Sequence, residues 1–246
     1  MRMPRSVALS LAVLLAAIIE LGATSSYDYK PGEFLVIDHG KSPDKKFAIV
    51  TGHNKADEFG VYLQDAQTKK LIGPLEEVAT GLDNAPDAFH AHWSPDSKHV
   101  GVSSREDRHL LRNIIYRIED RRAYLVETPA LICQAVPDFC KLQQELGGGL
   151  KLDDQNYYDA QWKVRQNEDA SEIVKWISPT RFIVSEESQW QIKERDPSAT
   201  IGQYGEAESD EPGIYHVWFS AEGECELIAD DKSHVISTHP VKKDKE

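Results

Sequence analysis

The sequence predicts an all-β protein built from four-stranded antiparallel sheets, with one short helical insertion, and three observations support this class. A Ser-Pro turn precedes an apolar, β-branched run at three places, beginning at Ser42, Ser94 and Ser178. A strand-like segment lies before each of these turns. Two further strand-like segments, joined by a polar turn, follow each run. Proline suits the second position of a type I turn, and Val, Ile and Phe favour strands.

The chain of 246 residues begins with the layout of an export signal. Arg2 and Arg5 lie before an apolar run of 13 residues, 7–19. A membrane-spanning helix needs about 20 residues, so this run is too short to be one. We therefore interpret residues 1–23 as a signal peptide that is cleaved near Ala23, with an uncleaved N-terminal anchor as the alternative.

The remaining residues, 24–246, are expected to form a single soluble domain in the periplasm or outside the cell. No second long apolar segment follows the signal, and the formal net charge of the chain is −13. Nucleic acids and anionic membrane surfaces attract clustered Lys and Arg, so this charge opposes both kinds of partner. The composition thus favours a protein partner or a small polar ligand.

The Ser-Pro turns define three predicted units, at about residues 33–81, 86–128 and 171–229. In the third unit, the pattern predicts a strand up to Phe219, a turn at 221–223 and a last strand that ends at residue 228. Each unit should therefore contain four strands.

A helical insertion is predicted between the second and third units, at about residues 129–150. Apolar residues recur there near a period of 3.6, and a run of three glycines, 147–149, ends the pattern. This insertion explains why the second and third Ser-Pro turns lie further apart than the first and second.

The segment Trp93-Ser94-Pro95-Asp96, with Lys98 and a valine-rich run behind it, resembles the repeat of TolB-type and related WD40-like β-propellers. In that family the segment joins the first two strands of a four-stranded blade. The resemblance implies an incomplete or small β-propeller-like array. It implies nothing about a ligand.

The chain departs from that repeat at several positions. Lys45 and Ser97 replace the glycine that usually follows the aspartate, and Thr180 replaces the aspartate of the third copy. The first copy also lacks the tryptophan, because Lys41 occupies its position.

Closed propellers have at least four blades, whereas the sequence shows three units. One alternative is a degenerate fourth blade around residues 153–167. Another is an open array whose edges the helical insertion covers. The third is a homodimer formed through the open sheet edges, because unpaired strand edges are usually covered or paired.

The chain has three cysteines. Cys133 and Cys140 lie close together in sequence, and Pro137 favours a turn between them, so they are candidates for a disulfide in an oxidising compartment. Cys225 is then left unpaired and is expected to be buried in a strand.

His90 and His92 are the candidate metal ligands. Residues two apart on a strand point to the same face, so both imidazoles can reach one ion. Asp87, Asp96 or His99 are the candidates to complete the shell. In the alternative interpretation, both histidines have only a structural role beside the turn of the second unit.

No catalytic residues and no cofactor are predicted. The segment 101–104 contains two serines but lacks the second glycine of a nucleophile elbow. Several pairs of adjacent acids occur, but adjacency in sequence does not set the separation that acid–base chemistry requires. These pairs are Glu76-Glu77, Asp153-Asp154 and Glu186-Glu187.

The tryptophans fall into two groups. Trp93, Trp176 and Trp218 lie at repeated positions and are expected to pack between sheets. Trp162 and Trp190 lie outside those positions and are the candidates for a binding surface.

The sequence therefore favours an exported, non-catalytic binding or scaffold module. The alternative is a periplasmic hydrolase or metal-binding protein that uses paired carboxylates or the His90/His92 pair.

Overall fold

The computed structural model describes residues 24–108, 110–135, 164–193, 206–208 and 214–241. These residues form a mostly β protein whose strands join into one open mixed sheet. The predicted all-β class is thereby confirmed. The predicted signal peptide 1–23, Cys140 and Trp162 lie outside the described residues.

Twelve of the strands form three units, each of which is a four-stranded antiparallel meander. The first unit contains β1 (Phe34–Lys41), β2 (Phe47–His53), β3 (Phe59–Asp65) and β4 (Leu71–Pro74). The second contains β5 (His90–Trp93), β6 (His99–Asp107), β7 (Leu110–Glu119) and β8 (Arg122–Val126). The third contains β9 (Val164–Trp176), β10 (Arg181–Lys193), β12 (Ile214–Ile228) and β13 (Lys232–Pro240).

Three short elements lie outside these meanders. A 3-10 turn covers Pro86–Ala88, one turn of α-helix, α1, covers Ile132–Ala135, and β11 (Glu206–Glu208) pairs with β12. Within the predicted insertion 129–150, the structure describes one helical segment, α1. Residues 136–150 lie outside the described residues. No helix among the described residues has the length and apolar character needed to cross a membrane.

The turn that joins the first two strands is built in the same way in the first and second units. Ser94 donates its hydroxyl to Asp96 at 2.7 Å and accepts the backbone N–H of His99 at 2.9 Å. Ser42 makes the equivalent bonds, to Asp44 at 2.8 Å and from the N–H of Phe47 at 3.0 Å. The repeat therefore specifies a hydrogen-bonded corner, which explains its recurrence along the chain.

The units pack face to face. One apolar cluster joins the first and second units and contains Ile49, Leu63, Val102 and Tyr116. A second cluster joins the opposite face of the second unit to the third unit. It contains Ile115, Leu131, Ile173, Phe182 and Cys225. Because neighbouring residues of a strand point to opposite faces, the second unit contributes to both clusters.

Indole hydrogen bonds also join successive units. The Trp93 N–H donates to the carbonyl of Gly40 at 3.1 Å, and the Trp176 N–H donates to the carbonyl of His92 at 2.8 Å. Each acceptor lies two residues before the turn serine of the preceding unit. Trp93 and Trp176 therefore lie between units, as their repeated positions predict. Trp218 lies in β12.

The turn predicted at 221–223 is wrong. β12 continues through these residues to Ile228, and the chain turns instead at Asp230 and Asp231, which have φ values of 63° and 54°. Gly223 is not a turn residue. It allows the Leu131 side chain to pack closely against β12, because a Cβ atom at residue 223 would lie 2.9 Å from that side chain. The fourth strand of the third unit is consequently β13, beyond the predicted end at 229.

The third unit also begins earlier than predicted. β9 starts at Val164, so residues 164–167 belong to the third unit and to no fourth blade. Cys225 is buried and unpaired in β12, as the sequence predicts, and burial raises the pKa of its thiol to about 11. The proposed partner of Cys133, Cys140, is outside the described residues.

Candidate metal centre

Two ionisable groups meet where the first strands of the first two units run side by side. β1 and β5 pair in parallel, with Asp38 opposite His90. The Asp38 backbone N–H donates to the carbonyl of Phe89 at 3.3 Å, which helps to fix this register. The topology thereby joins groups that are 52 positions apart in the sequence.

Three side chains converge at this junction. His90 Nε2 lies 3.1 Å from Asp38 Oδ2, and His39 Nε2 lies 3.8 Å from Asp38 Oδ1. One ligand atom from each of the three residues lies within 4.8 Å of the others. We call Asp38, His39 and His90 the histidine–aspartate site. It is the one group of this kind among the described residues.

A local irregularity of β1 makes this convergence possible. Adjacent residues on a regular strand point to opposite faces, so Asp38 and His39 would normally be separated by the sheet. His39 instead has a φ of 51°, and the pairing of β1 with β2 shifts between Val36 and Lys41. The His39 backbone N–H donates to Asp38 Oδ1 at 2.9 Å. This bulge brings both side chains to the same region.

His92 and Glu172 extend the polar region towards the third unit. The rings of His90 and His92 lie 5.8 Å apart, on the same face of β5 as the sequence predicts. His92 Nε2 is 3.6 Å from Glu172 Oε1, and the adjacent His92 imidazole holds the pKa of Glu172 below its usual range. Each of the three units therefore contributes a charged or titratable side chain here.

The histidine–aspartate site offers the ligands that divalent transition metals prefer. Two imidazoles and one carboxylate suit Zn²⁺ and its neighbours, whereas Ca²⁺ and Mg²⁺ prefer sets made of oxygen atoms. Zinc ligands at about 2.0–2.1 Å from the ion are roughly 3.3 Å apart in a tetrahedron. The His90–Asp38 distance of 3.1 Å is close to this value, and His39 lies 3.8 Å from the other oxygen of Asp38.

The site is also open to solvent. The side chains of His90 and Asp38 are 42% and 47% exposed, and that of His39 is 72% exposed. Three protein ligands leave a fourth tetrahedral position for water or for a group from a ligand. The arrangement is thus suited to binding rather than to a closed structural zinc site.

The residues expected to complete the shell lie elsewhere. Asp96 accepts hydrogen bonds from Ser94 and from the N–H of Lys98 within its turn. His99 stacks on Trp176 with a ring separation of 6.0 Å. Asp87 accepts a hydrogen bond from the Ser25 hydroxyl at 3.1 Å. These three side chains therefore support the fold. Of the predicted pair, His90 belongs to the histidine–aspartate site, whereas His92 lies beside Glu172 and is not one of its three members.

Sequence reasoning missed Asp38, His39 and Glu172. One signal for Asp38 was present, because Asp38 precedes Ser42 by four residues, just as His90 precedes Ser94 by four. The repeat places both residues at equivalent positions of the first strands. No signal indicated His39, since its orientation depends on the bulge in β1.

The candidate binding-surface residue Trp190 lies in β10, opposite Val217 of β12. The pairing of these two strands continues from Arg181 to Lys193, so Trp190 belongs to the sheet of the third unit.

Comparison with known proteins identifies no relative of this chain. No family model matches it, and no curated protein or solved structure matches it either.

Proposed function

We propose that this chain is an exported, non-catalytic binding module of propeller-like architecture that binds a divalent transition-metal ion. The observation that carries the proposal is the convergence of Asp38, His39 and His90, from two strands, on one solvent-accessible point. Metal ligands from separate strands need the folded protein, so such a site forms only when the units pair correctly.

The propeller-like architecture is supported by the repetition of structure along the chain. Three four-stranded meanders follow one another, and the first two have the same corner between their first two strands. Successive units pack face to face, and the first strands of the first two units lie side by side at the histidine–aspartate site. These features agree with the resemblance to TolB-type and WD40-like repeats, and we propose an incomplete array of three such blades.

Export is supported by the N-terminal charge and apolar run, and we place the mature protein in the periplasm or outside the cell. A net charge of −13 raises the local concentration of cations near the surface. Both properties suit a protein that takes up a metal ion in an extracytoplasmic compartment.

A catalytic alternative has less support. His92, Ser94 and Asp96 look like a catalytic set when they are taken from the sequence alone. In the structure the Ser94 hydroxyl is fully buried and bonded within its own turn. Its role is therefore to shape the corner of the second unit.

The proposal is tested by calorimetric titration of the purified protein with Zn²⁺, with Ca²⁺ as a comparison. We expect one Zn²⁺ per chain, no comparable binding of Ca²⁺, and loss of the Zn²⁺ site in His90→Ala. His53→Ala is the matched control, because His53 lies 3.2 Å from Asp57 in a histidine–aspartate pair that has no third ligand among the described residues. A wild-type protein that binds no Zn²⁺, or a His90→Ala variant that binds it normally, contradicts the proposal.

A further inference from the structure

An ion pair links each unit to the next at the end of the third strand. Arg121 donates to Asp65 at 2.7 Å and joins the second unit to the first. Arg117 and Asp231 form the corresponding pair between the second and third units. In the first contact the residue on the third strand is acidic, and in the second contact it is basic. Both contacts nevertheless join the same two positions, one on the third strand of a unit and one in the turn after the third strand of the next unit.

The strand pairing shows that the position on the third strand is equivalent in all three units. One residue of each third strand pairs with the first residue after the Ser-Pro turn. These residues are Asp65, Arg117 and Glu226, and their partners are Phe47, His99 and Arg181. Alternation along the strands directs each of the three towards the side on which a following unit packs, opposite to the face that contacts the preceding unit.

The partner residues are equivalent too. Arg121 and Asp231 occupy the turn after the third strand, and both have a left-handed backbone, with φ values of 60° and 54°. Lys69 holds the same place in the first unit, with a φ of 61°. Arg121 lies four residues after Arg117, and Lys69 lies four residues after Asp65.

At the two ends of the array, this pattern is left incomplete. Glu226 of the third unit has the position that should face a following unit, and Lys69 of the first unit has the position that should face a preceding one. Within the part of the chain that the structure describes, neither side chain forms an ion pair. Their charges are opposite, so each supplies what the other lacks.

The outward face of the third unit also exposes apolar side chains. Val174, Ile228 and Ile236 are each between 43% and 48% exposed, and Ile177 at the adjoining turn is 47% exposed. Most of the exposed large apolar side chains of the described chain belong to this unit. Such a group of side chains marks an interaction surface more often than an ordinary solvated face.

We propose that a second copy of this chain covers this face, with Glu226 of one copy paired with Lys69 of the other. The contact continues the internal contacts between units, so the first unit of the second copy takes the place of a fourth unit. Two such contacts in one dimer pair both ends of both copies, so each copy covers the exposed apolar face of the other copy's third unit. The dimer does not depend on the metal proposal.

The contact between copies lacks one feature of the internal contacts. Lys41 occupies the position of Trp93 and Trp176, so no indole N–H is present to donate to the third unit. The association between copies should therefore depend more strongly on the ion pair, and it should weaken as salt screens the charges.

Charge reversal tests this pairing directly. Glu226→Lys places like charges at both contacts of its own homodimer, and so does Lys69→Glu. In an equimolar mixture, however, one contact joins the two substituted side chains, whose charges are opposite, and the other retains the original Glu226 and Lys69. Native mass spectrometry should therefore find dimers for the wild type, monomers for each variant alone, and mixed dimers when the two are combined.

Each result of this experiment decides the proposal. Mixed dimers support it, because a variant that merely misfolds is not rescued by another variant. A monomeric wild type, a mixture of the two folded variants that stays monomeric, or a variant that dimerises as well as the wild type overturns it. All samples contain EDTA, so that bridging metal ions contribute nothing, and circular dichroism confirms that both variants fold. Leu125→Asp, on an exposed strand of the second unit, is the control that should leave the dimer intact.

Discussion

Two contacts between a carboxylate and a nitrogen-bearing side chain have contrasting surroundings in this molecule. Asp83 and Arg105 pair through two contacts of 2.7 Å, and their side chains are 3% and 12% exposed. Asp38 and His90 lie 3.1 Å apart, and their side chains are almost half exposed. Both pairs join residues that are distant in the sequence.

The difference lies in how completely each carboxylate is bonded. Asp83 accepts hydrogen bonds from Arg105 on both oxygens and from the N–H of Ser25 at 2.7 Å. Burial alone would raise its pKa, but these bonds hold the pKa of Asp83 below its usual range. Asp38 instead faces two imidazoles and solvent, and the three side chains form the group that could hold a cation. The saturated pair supports the fold, and the unsaturated one is the candidate binding site.

The largest effect is expected at the saturated pair. Asp83→Ala leaves Arg105 buried without its carboxylate, and breaking a buried pair costs about 3–5 kcal/mol. Denaturation with urea should show this loss of stability. The Zn²⁺ affinity of the folded protein should stay unchanged. A loss of stability below about 1 kcal/mol, or a change in Zn²⁺ affinity, would contradict the separate structural and binding roles of the two pairs.

At the histidine–aspartate site, we expect a substitution to lower the Zn²⁺ affinity and to leave the stability almost unchanged. Asp38→Asn keeps the size of the side chain but removes its charge. Zn²⁺ affinity should fall by at least about tenfold, since the loss of even an outer-shell ligand partner has an effect of that order. Stability without metal should change by less than about 0.5 kcal/mol, as is usual for exposed residues. Calorimetric titration and urea denaturation measure the two quantities separately, and unchanged affinity would contradict the assignment.

Acid separates the two pairs in a different way. Zn²⁺ binds imidazole in its neutral form, so protons compete with the ion as the pH falls from 7 to 5, and the affinity should fall by about tenfold or more. Asp83 has a lowered pKa, so its contribution to stability is present above the unfolded value near 3.8 and is lost only as the pH falls through the folded value.

The cost of Asp83→Ala should therefore be the same at pH 7 and pH 5. Titrations and denaturation curves at both values provide the comparison. A Zn²⁺ affinity that is independent of pH over this range is incompatible with imidazole ligands.

The smallest effect is expected at a third carboxylate, Glu186. It accepts the backbone N–H groups of Leu131 and Ile132, at 2.9 Å and 3.0 Å, and burial raises its pKa. Glu186→Gln removes the buried charge and keeps an oxygen that accepts both bonds. Its free energy of unfolding at pH 7 should differ from that of the wild type by less than about 0.5 kcal/mol.

Glu186→Ala is the matched comparison, because it leaves both N–H groups without an acceptor and should cost about 1–3 kcal/mol. If the Gln variant is as unstable as the Ala variant, the negative charge of Glu186 itself stabilises the segment that Glu186 binds. The different roles of Asp38, Asp83 and Glu186 would then not follow from how deeply each carboxylate is buried.

Much of the fold could be predicted from the sequence because its main signal is local. The Ser-Pro-Asp corners are formed by residues within five positions of one another, so a short sequence pattern is enough to specify them. The turn at 221–223 was wrong for the opposite reason. Gly223 is required by the approach of Leu131, which lies 92 positions earlier, and no local pattern shows such a contact.

The candidate site was predictable only in part for the same reason. Two histidines on one strand indicated a shared face, and the spacing from the turn serine was available for Asp38. The position of His39 depends on a left-handed residue inside a strand, where local propensity favours extended backbone. The approach of Glu172 depends on how the third unit packs against the second.

X-ray absorption spectroscopy of the protein loaded with one equivalent of Zn²⁺ tests the metal assignment most directly, because it reports the ligand atoms themselves. The histidine–aspartate site predicts two imidazole nitrogens and additional oxygen atoms, with one imidazole lost in His39→Ala and the other in His90→Ala. A spectrum without imidazole ligands, or one that is unchanged in both variants, would show that the ion binds elsewhere.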